Sequence, residues 1–129
     1  MNKDGRINAF TDLKVWQEGH SLVIDIYRIT KDFPKEELYS LTNQMRRSAM
    51  SVTANIAEGF GRQGYKEKIQ FYYLAHGSLT ELKDQFLIAR DIDYLADSEF
   101  VELDQKLVSV HRLLLGLIKK SKEILNSKI

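Results

Sequence analysis

Apolar residues recur along this chain with the period of a helix, and one stretch carries two such stripes. Between residues 41 and 64, Leu41, Met45, Ala49, Val52 and Ile56 fall on one face of a wheel of about 100° per residue. Beside them, within an arc of about 80°, run Gln44, Arg47, Ser51, Asn55, Glu58 and Arg62. Small residues (Ser48, Ala49, Ser51, Ala54, Ala57) are interspersed, so a second helix can approach closely. The apolar edge predicts a core contact. The polar edge predicts a second surface of a different kind.

The same period predicts three further helices. Over residues 11–31, with Thr11 or Asp12 as cap, Leu13, Trp16, His20, Val23 and Tyr27 form one stripe. Val15, Leu22, Ile26 and Ile29 form another, and together they cover roughly 200°, more than a typical surface helix. Pro34 breaks the pattern, and residues 35–38 suit a short turn before a second helix over 39–59. Gly59, Gly61 and Gly64 are expected to end that helix in left-handed conformations. Residues 65–91 place Ile69, Tyr72, Ala75, His76, Leu79, Leu82 and Phe86 inward. After a connection over 91–96, Asp97 or Ser98 is expected to cap a fourth helix. Phe100, Leu103, Leu107, Val110, Leu114, Leu117, Ile118, Ile124 and Leu125 lie on one side of it, with Val101, Val108 and Leu115 further round. No segment alternates with period two between hairpin turns. Four long helices with short connections predict an all-α, antiparallel up-down-up-down bundle over residues 10–129, preceded by a flexible segment over 1–9. The surplus apolar arc on helices one and four predicts a homo-oligomer.

The 129 residues fit one domain. Lys and Arg number 19 against 18 Asp and Glu, so no general affinity for polyanions follows. The charges are segregated, however. Acids dominate from Glu81 to Asp104, and Lys106, Arg112, Lys119, Lys120, Lys122 and Lys128 face only Glu123 beyond. The absence of cysteine excludes disulfides and thiolate chemistry and suits a reducing cytoplasm. Neither a signal-peptide core nor an 18-residue apolar run occurs, so a cytoplasmic protein without membrane contact is expected.

Gly59-Phe60-Gly61-Arg62-Gln63-Gly64 matches G-x-G-x-x-G, but a dinucleotide fingerprint follows a strand, and here a helix precedes it. Its amides, with Arg62, Lys66 and Lys68 nearby, could still hold a phosphate. His20, His76 and His111 sit on three different helices, and none has a Glu three residues before it, so neither a bundle metal site nor a cofactor is expected. No Ser/His/Asp arrangement suits catalysis. Arg46, Arg47, Arg62, Lys66 and Lys68 are the candidate phosphate contacts. Tyr65, Phe71, Tyr72 and Tyr73 stand near them as candidates for stacking on unpaired bases or for the core. Gln44, Ser51, Asn55, Glu58, Ser78 and Glu81 form a candidate polar seam between helices or subunits.

Phe10-x-Asp12-Leu13-x-Val15-Trp16-Gln17, Tyr27-x-x-Thr30 and Phe33-Pro34 with Glu37 resemble the opening of the 23S rRNA intervening-sequence protein family, also called the four-helix-bundle protein family. The likeness continues through Leu41-Thr42-x-Gln44-Met45-Arg46-Arg47-Ser48-Ala49, Ser51 and Asn55-Ile56-Ala57-Glu58-Gly59, then Ala75-x-Gly77-Ser78-Leu79-x-Glu81-Leu82. It spans about residues 10–117. The resemblance implies a left-handed bundle assembling as a ring-like homopentamer, a bacterial gene, and no established enzymatic activity. It is similar in architecture to the nucleic-acid-binding accessory protein of diversity-generating retroelements. It marks Arg47, Ser51, Asn55, Glu58, Ser78 and Glu81 as positions to watch. Two functional readings follow: a non-enzymatic oligomer that binds RNA or a ribonucleoprotein, or a protein-interaction scaffold without nucleic acid.

Overall fold

Helix α1, Lys14–Thr30, begins at Leu13 without a side-chain cap. Asp12 serves one step earlier. Phe10–Asp12 forms a short 3-10 turn, and the Asp12 carboxylate accepts the Asn8 and Ala9 N–H groups, each at 3.0 Å. This computed structural model describes residues 5–128. Residues 5–9 are exposed, while residues 1–4 of the expected flexible segment, and Ile129, lie outside the described residues.

After Pro34 and a 3-10 turn at Lys35–Glu37 come α2, Leu41–Phe60, then α3, Tyr65–Asp91, and α4, Asp97–Ser127. Neither Asp97 nor Ser98 caps α4. Its cap residue is Ala96, whose N–H is taken by Glu99 Oε1 at 2.8 Å, so the carboxylate three residues in does the work. Asp93 takes the left-handed conformation (φ 65°) that turns the chain between α3 and α4, which a short polar residue tolerates.

The glycines after α2 depart from expectation. Gly59 lies inside the helix, and Gly61 (φ −74°) and Gly64 (φ −94°) are not left-handed. Gly59 is required for another reason: a Cβ there would stand 2.7 Å from Tyr72 Cε1, so the missing side chain lets α3 close on α2. Gly19 does the same between α1 and α2, where a Cβ would stand 3.1 Å from Thr53 Cγ2.

Among the described residues there is no strand. Each helix packs on two neighbours, α1 on α2 and α4, and α3 on α2 and α4, while the diagonal pairs do not meet. This is a square, antiparallel four-helix bundle. Its core is built from Val15, Leu22 and Ile26 of α1, Met45, Val52 and Ile56 of α2, Tyr72, Leu82 and Phe86 of α3, and Leu107, Val110 and Leu114 of α4. Polar bonds fix the outer seams. Arg46 Nε donates to Thr30 Oγ1 at 3.0 Å, Lys106 bonds Ser21 and Asp25, and Lys83 pairs with Asp104.

The two predicted surpluses fare differently. On α1, α2 and α4 cover both stripes from either side, leaving only Ile24 exposed among its larger apolar residues, and His20 turns outward to stack on Trp16 (centroids 4.8 Å). On α4, Val101, Val108 and Leu115 remain 49%, 43% and 44% exposed.

Candidate nucleic-acid interface

Antiparallel topology brings the α2–α3 turn and the C-terminal end of α4 to the same end of the bundle. The last carbonyls of α2 have no partners within the helix. Lys68 supplies one, its Nζ donating to Phe60 O at 2.6 Å and Gly59 O at 3.5 Å, and burial lowers its pKa. Arg62 pairs with Glu58 at 3.2 Å and Glu67 at 3.8 Å while its guanidinium lies 4.7 Å from the Phe71 ring centroid. Lys66 stands exposed.

Into this group α4 delivers two cations that no local pattern connects to it. Lys128 Nζ lies 5.6 Å from the Tyr65 ring centroid, and Lys68 Nζ lies 5.7 Å from the same ring. Lys122 Nζ donates to Tyr73 Oη and sits 4.9 Å from that ring's centroid. Lys119 and Lys120 are exposed on the same last turns of α4. The result is a basic end threaded with aromatic rings. The opposite end carries Asp91, Asp93, Asp97, Glu99 and Glu102.

The five candidate phosphate contacts therefore separate. Arg62, Lys66 and Lys68 share the basic end. Arg46 turns to α1, bonded to Thr30 and 4.6 Å from the Tyr27 centroid. Arg47 opens into the α2/α3 groove, about 20 Å from Arg62 along the helix by rise per residue. Of the candidate seam, Gln44, Ser51, Ser78 and Glu81 line that groove together with Arg47 and Ser48. Ser78 Oγ donates to Ser51 Oγ at 2.8 Å, and Asn55 Nδ2 donates to Ser51 O at 2.8 Å and Ser51 Oγ at 3.1 Å. Glu58 belongs to the turn with Arg62 instead. Further along the groove, Gln85 Oε1 is buried without a hydrogen-bond partner.

The histidines do not converge into a larger cluster. His76 Nε2 and His111 Nε2 lie 2.9 Å apart across α3 and α4, and burial, then the neighbouring His76, holds His111 below the usual histidine pKa. Among the described residues no group of three or more His, Cys, Asp and Glu could hold a metal ion. No described helix is long and apolar enough to cross a membrane.

A family model for 23S rRNA-intervening sequence proteins matches residues 11–116. The chain belongs to that family. A solved structure with the same bundle is a protein of unknown function from the S23 ribosomal protein family of Bacteroides thetaiotaomicron VPI-5482. The two are 19% identical, the match covers 81% of this chain and 98% of that one, and the TM-score is 0.76, a likeness of fold alone. No curated protein matches. Within the intervening-sequence match fall α1, α2, α3 and the first two-thirds of α4. Lys119, Lys120, Lys122 and Lys128 lie beyond it.

Proposed function

We propose that this member of the intervening-sequence family acts by binding rather than catalysis, and that its basic end takes single-stranded segments of RNA. The observation that carries this reading is the arrival of Lys122 and Lys128 on Tyr73 and Tyr65, beside Arg62, Lys66 and Lys68. Cations supply sequence-independent attraction to phosphates, and aromatic rings supply stacking surfaces for unpaired bases. Bound phosphate would compete with Glu58 and Glu67 for Arg62. Lys68 already caps α2, so its role would be to hold the turn while its neighbours make the contacts. The family's name, for a sequence intervening in 23S rRNA, agrees with a ribonucleic ligand.

A second reading, a protein-interaction scaffold, draws support from the open α2/α3 groove and the unpaired Gln85 carbonyl oxygen. Titration with single-stranded RNA separates the two. Binding lost on charge reversal at Lys66, Lys122 and Lys128 supports the first, and no binding at low salt leaves the second.

A further inference from the structure

We propose that His76 of α3 and His111 of α4 together clamp one divalent late transition-metal ion, of the copper(II), nickel(II) and zinc class. This goes beyond the RNA reading and does not depend on it. Both histidines are half-buried on the outer seam where α3 packs on α4. Their Nε2 atoms lie 2.9 Å apart and their ring centroids 4.9 Å apart. Without a metal, one ring donates its Nε2 proton to the other.

The spacing is that of two ligands on one ion. Nitrogens in neighbouring positions of a square-planar or octahedral ion, each at about 2.05 Å, stand about 2.9 Å apart, and those of a tetrahedral zinc site about 3.3 Å. The rings are tilted in keeping with this. A straight bond between the nitrogens would hold the centroids about 5.2 Å apart, and convergence on one ion at a right angle about 4.5 Å. The observed 4.9 Å lies between, so the rings meet at an angle and a small tilt brings both lone pairs onto one point. No hydrogen bond within the described residues ties down either Nδ1, and neither is buried without a partner. Each ring can therefore carry its proton on Nδ1 and give it to water, as ligating histidines commonly do.

Helix packing fixes both side chains. Lys83 stands seven residues after His76, Asp104 stands seven before His111, and these two also pair. The antiparallel helices thus keep one register over two turns, and donors on rigid helices are placed more precisely than donors on loops. Asp104 neutralises Lys83, which lies about 10 Å away along the helix, so the ion's charge meets little repulsion from it. Arg112 is exposed and points about 100° round the helix from His111.

Among the described residues no further His, Cys, Asp or Glu joins the pair, so water fills the remaining positions. A cleft of about 260 Å³ beside His111, lined also by Leu79, Thr80, Lys83, Leu107 and Val108, gives it room. Two imidazoles select the ion, because copper, nickel and zinc take nitrogen ligands whereas magnesium and calcium prefer oxygen. An ion held here staples α3 to α4 near their middles, away from the basic end.

The test titrates the untagged full chain, without RNA, with nickel chloride by isothermal calorimetry. Saturable binding of one ion per chain is expected, and none with magnesium chloride. His76→Gln and His111→Gln are each expected to weaken nickel binding at least about tenfold with unchanged helical circular dichroism, while His20→Gln binds as the parent does. Nickel should raise the melting temperature of the parent and leave that of the first two variants unmoved. In the parent itself, zinc is expected to shift the ring proton resonances of His76 and His111 and not those of His20, which tests the site without any substitution. Absence of saturable binding overturns the proposal. So do nickel affinities unchanged in both variants, or zinc shifts confined to His20.

Discussion

Tyr72 lies against the backbone of Gly59 so closely that a methyl group on the glycine would stand 2.7 Å from its ring. The contact closes α3 on α2 one turn before the chain reverses, at the end of the bundle where Lys128 and Lys122 meet Tyr65 and Tyr73. Gly59→Ala should gain up to about 1 kcal/mol of helix propensity and lose more to the displaced ring, since overpacking costs about 1–3 kcal/mol. Urea unfolding is expected to show a net loss of about 1–2 kcal/mol. A stabilised variant would mean the ring moves aside freely.

Arg46 offers a contrast between structure and ligand. It bonds Thr30 Oγ1 and covers Tyr27, joining α2 to α1. Arg46→Ala is expected to cost about 1 kcal/mol, the usual worth of such a bond, and to leave RNA affinity within twofold. A large loss of affinity with unchanged stability would return Arg46 to the binding surface.

The His76–His111 pair gives the fold a pH dependence of defined sign. Burial and the neighbouring ring keep His111 neutral at pH values where the unfolded chain would take up a proton. The unfolded state then binds more protons, so stability rises with pH. The contribution is complete above the ordinary histidine value of about 6.5 and is lost as pH falls below it. Thermal melts between pH 7.5 and 5.5 should show the melting temperature falling on acidification, with a shallower fall in His111→Gln. A wild-type melting temperature that rises on acidification would contradict the assignment.

Stacking on Tyr65 can be separated from charge. Tyr65 carries two ammonium groups over its ring and stands half-buried at the start of α3. Tyr65→Leu keeps apolar bulk and removes the aromatic face, so single-stranded RNA is expected to bind about fivefold more weakly, the lower end of a base–aromatic contact. The salt dependence should be unchanged, because no cation has been removed.

The helices were legible in the sequence because burying one face of each imposes the 3.6-residue period on long runs. The ends were less so. Several carboxylates compete to satisfy the first N–H groups, and the winners, Asp12 for the 3-10 turn and Glu99 for α4, depend on where the backbone enters. The wheel placed Arg46 and Arg47 about 100° apart without saying which one meets α1. At the basic end, Arg62, Lys66 and Lys68 could be read as a local cluster. Lys122 and Lys128 could not be joined to it, because only the antiparallel return of α4 carries them to Tyr73 and Tyr65.

The most direct test of the central claim is titration of a fluorescent single-stranded RNA with the full chain at several salt concentrations. The expected result is binding whose logarithm falls linearly with the logarithm of salt, because each phosphate contact releases counterions. In a variant reversed to Glu at Lys66, Lys122 and Lys128, affinity should drop at least about tenfold and the slope should shrink by about two, as loss of three contacts to a single strand implies. Binding that ignores salt, or a triple variant that binds as well as the parent, would contradict the account.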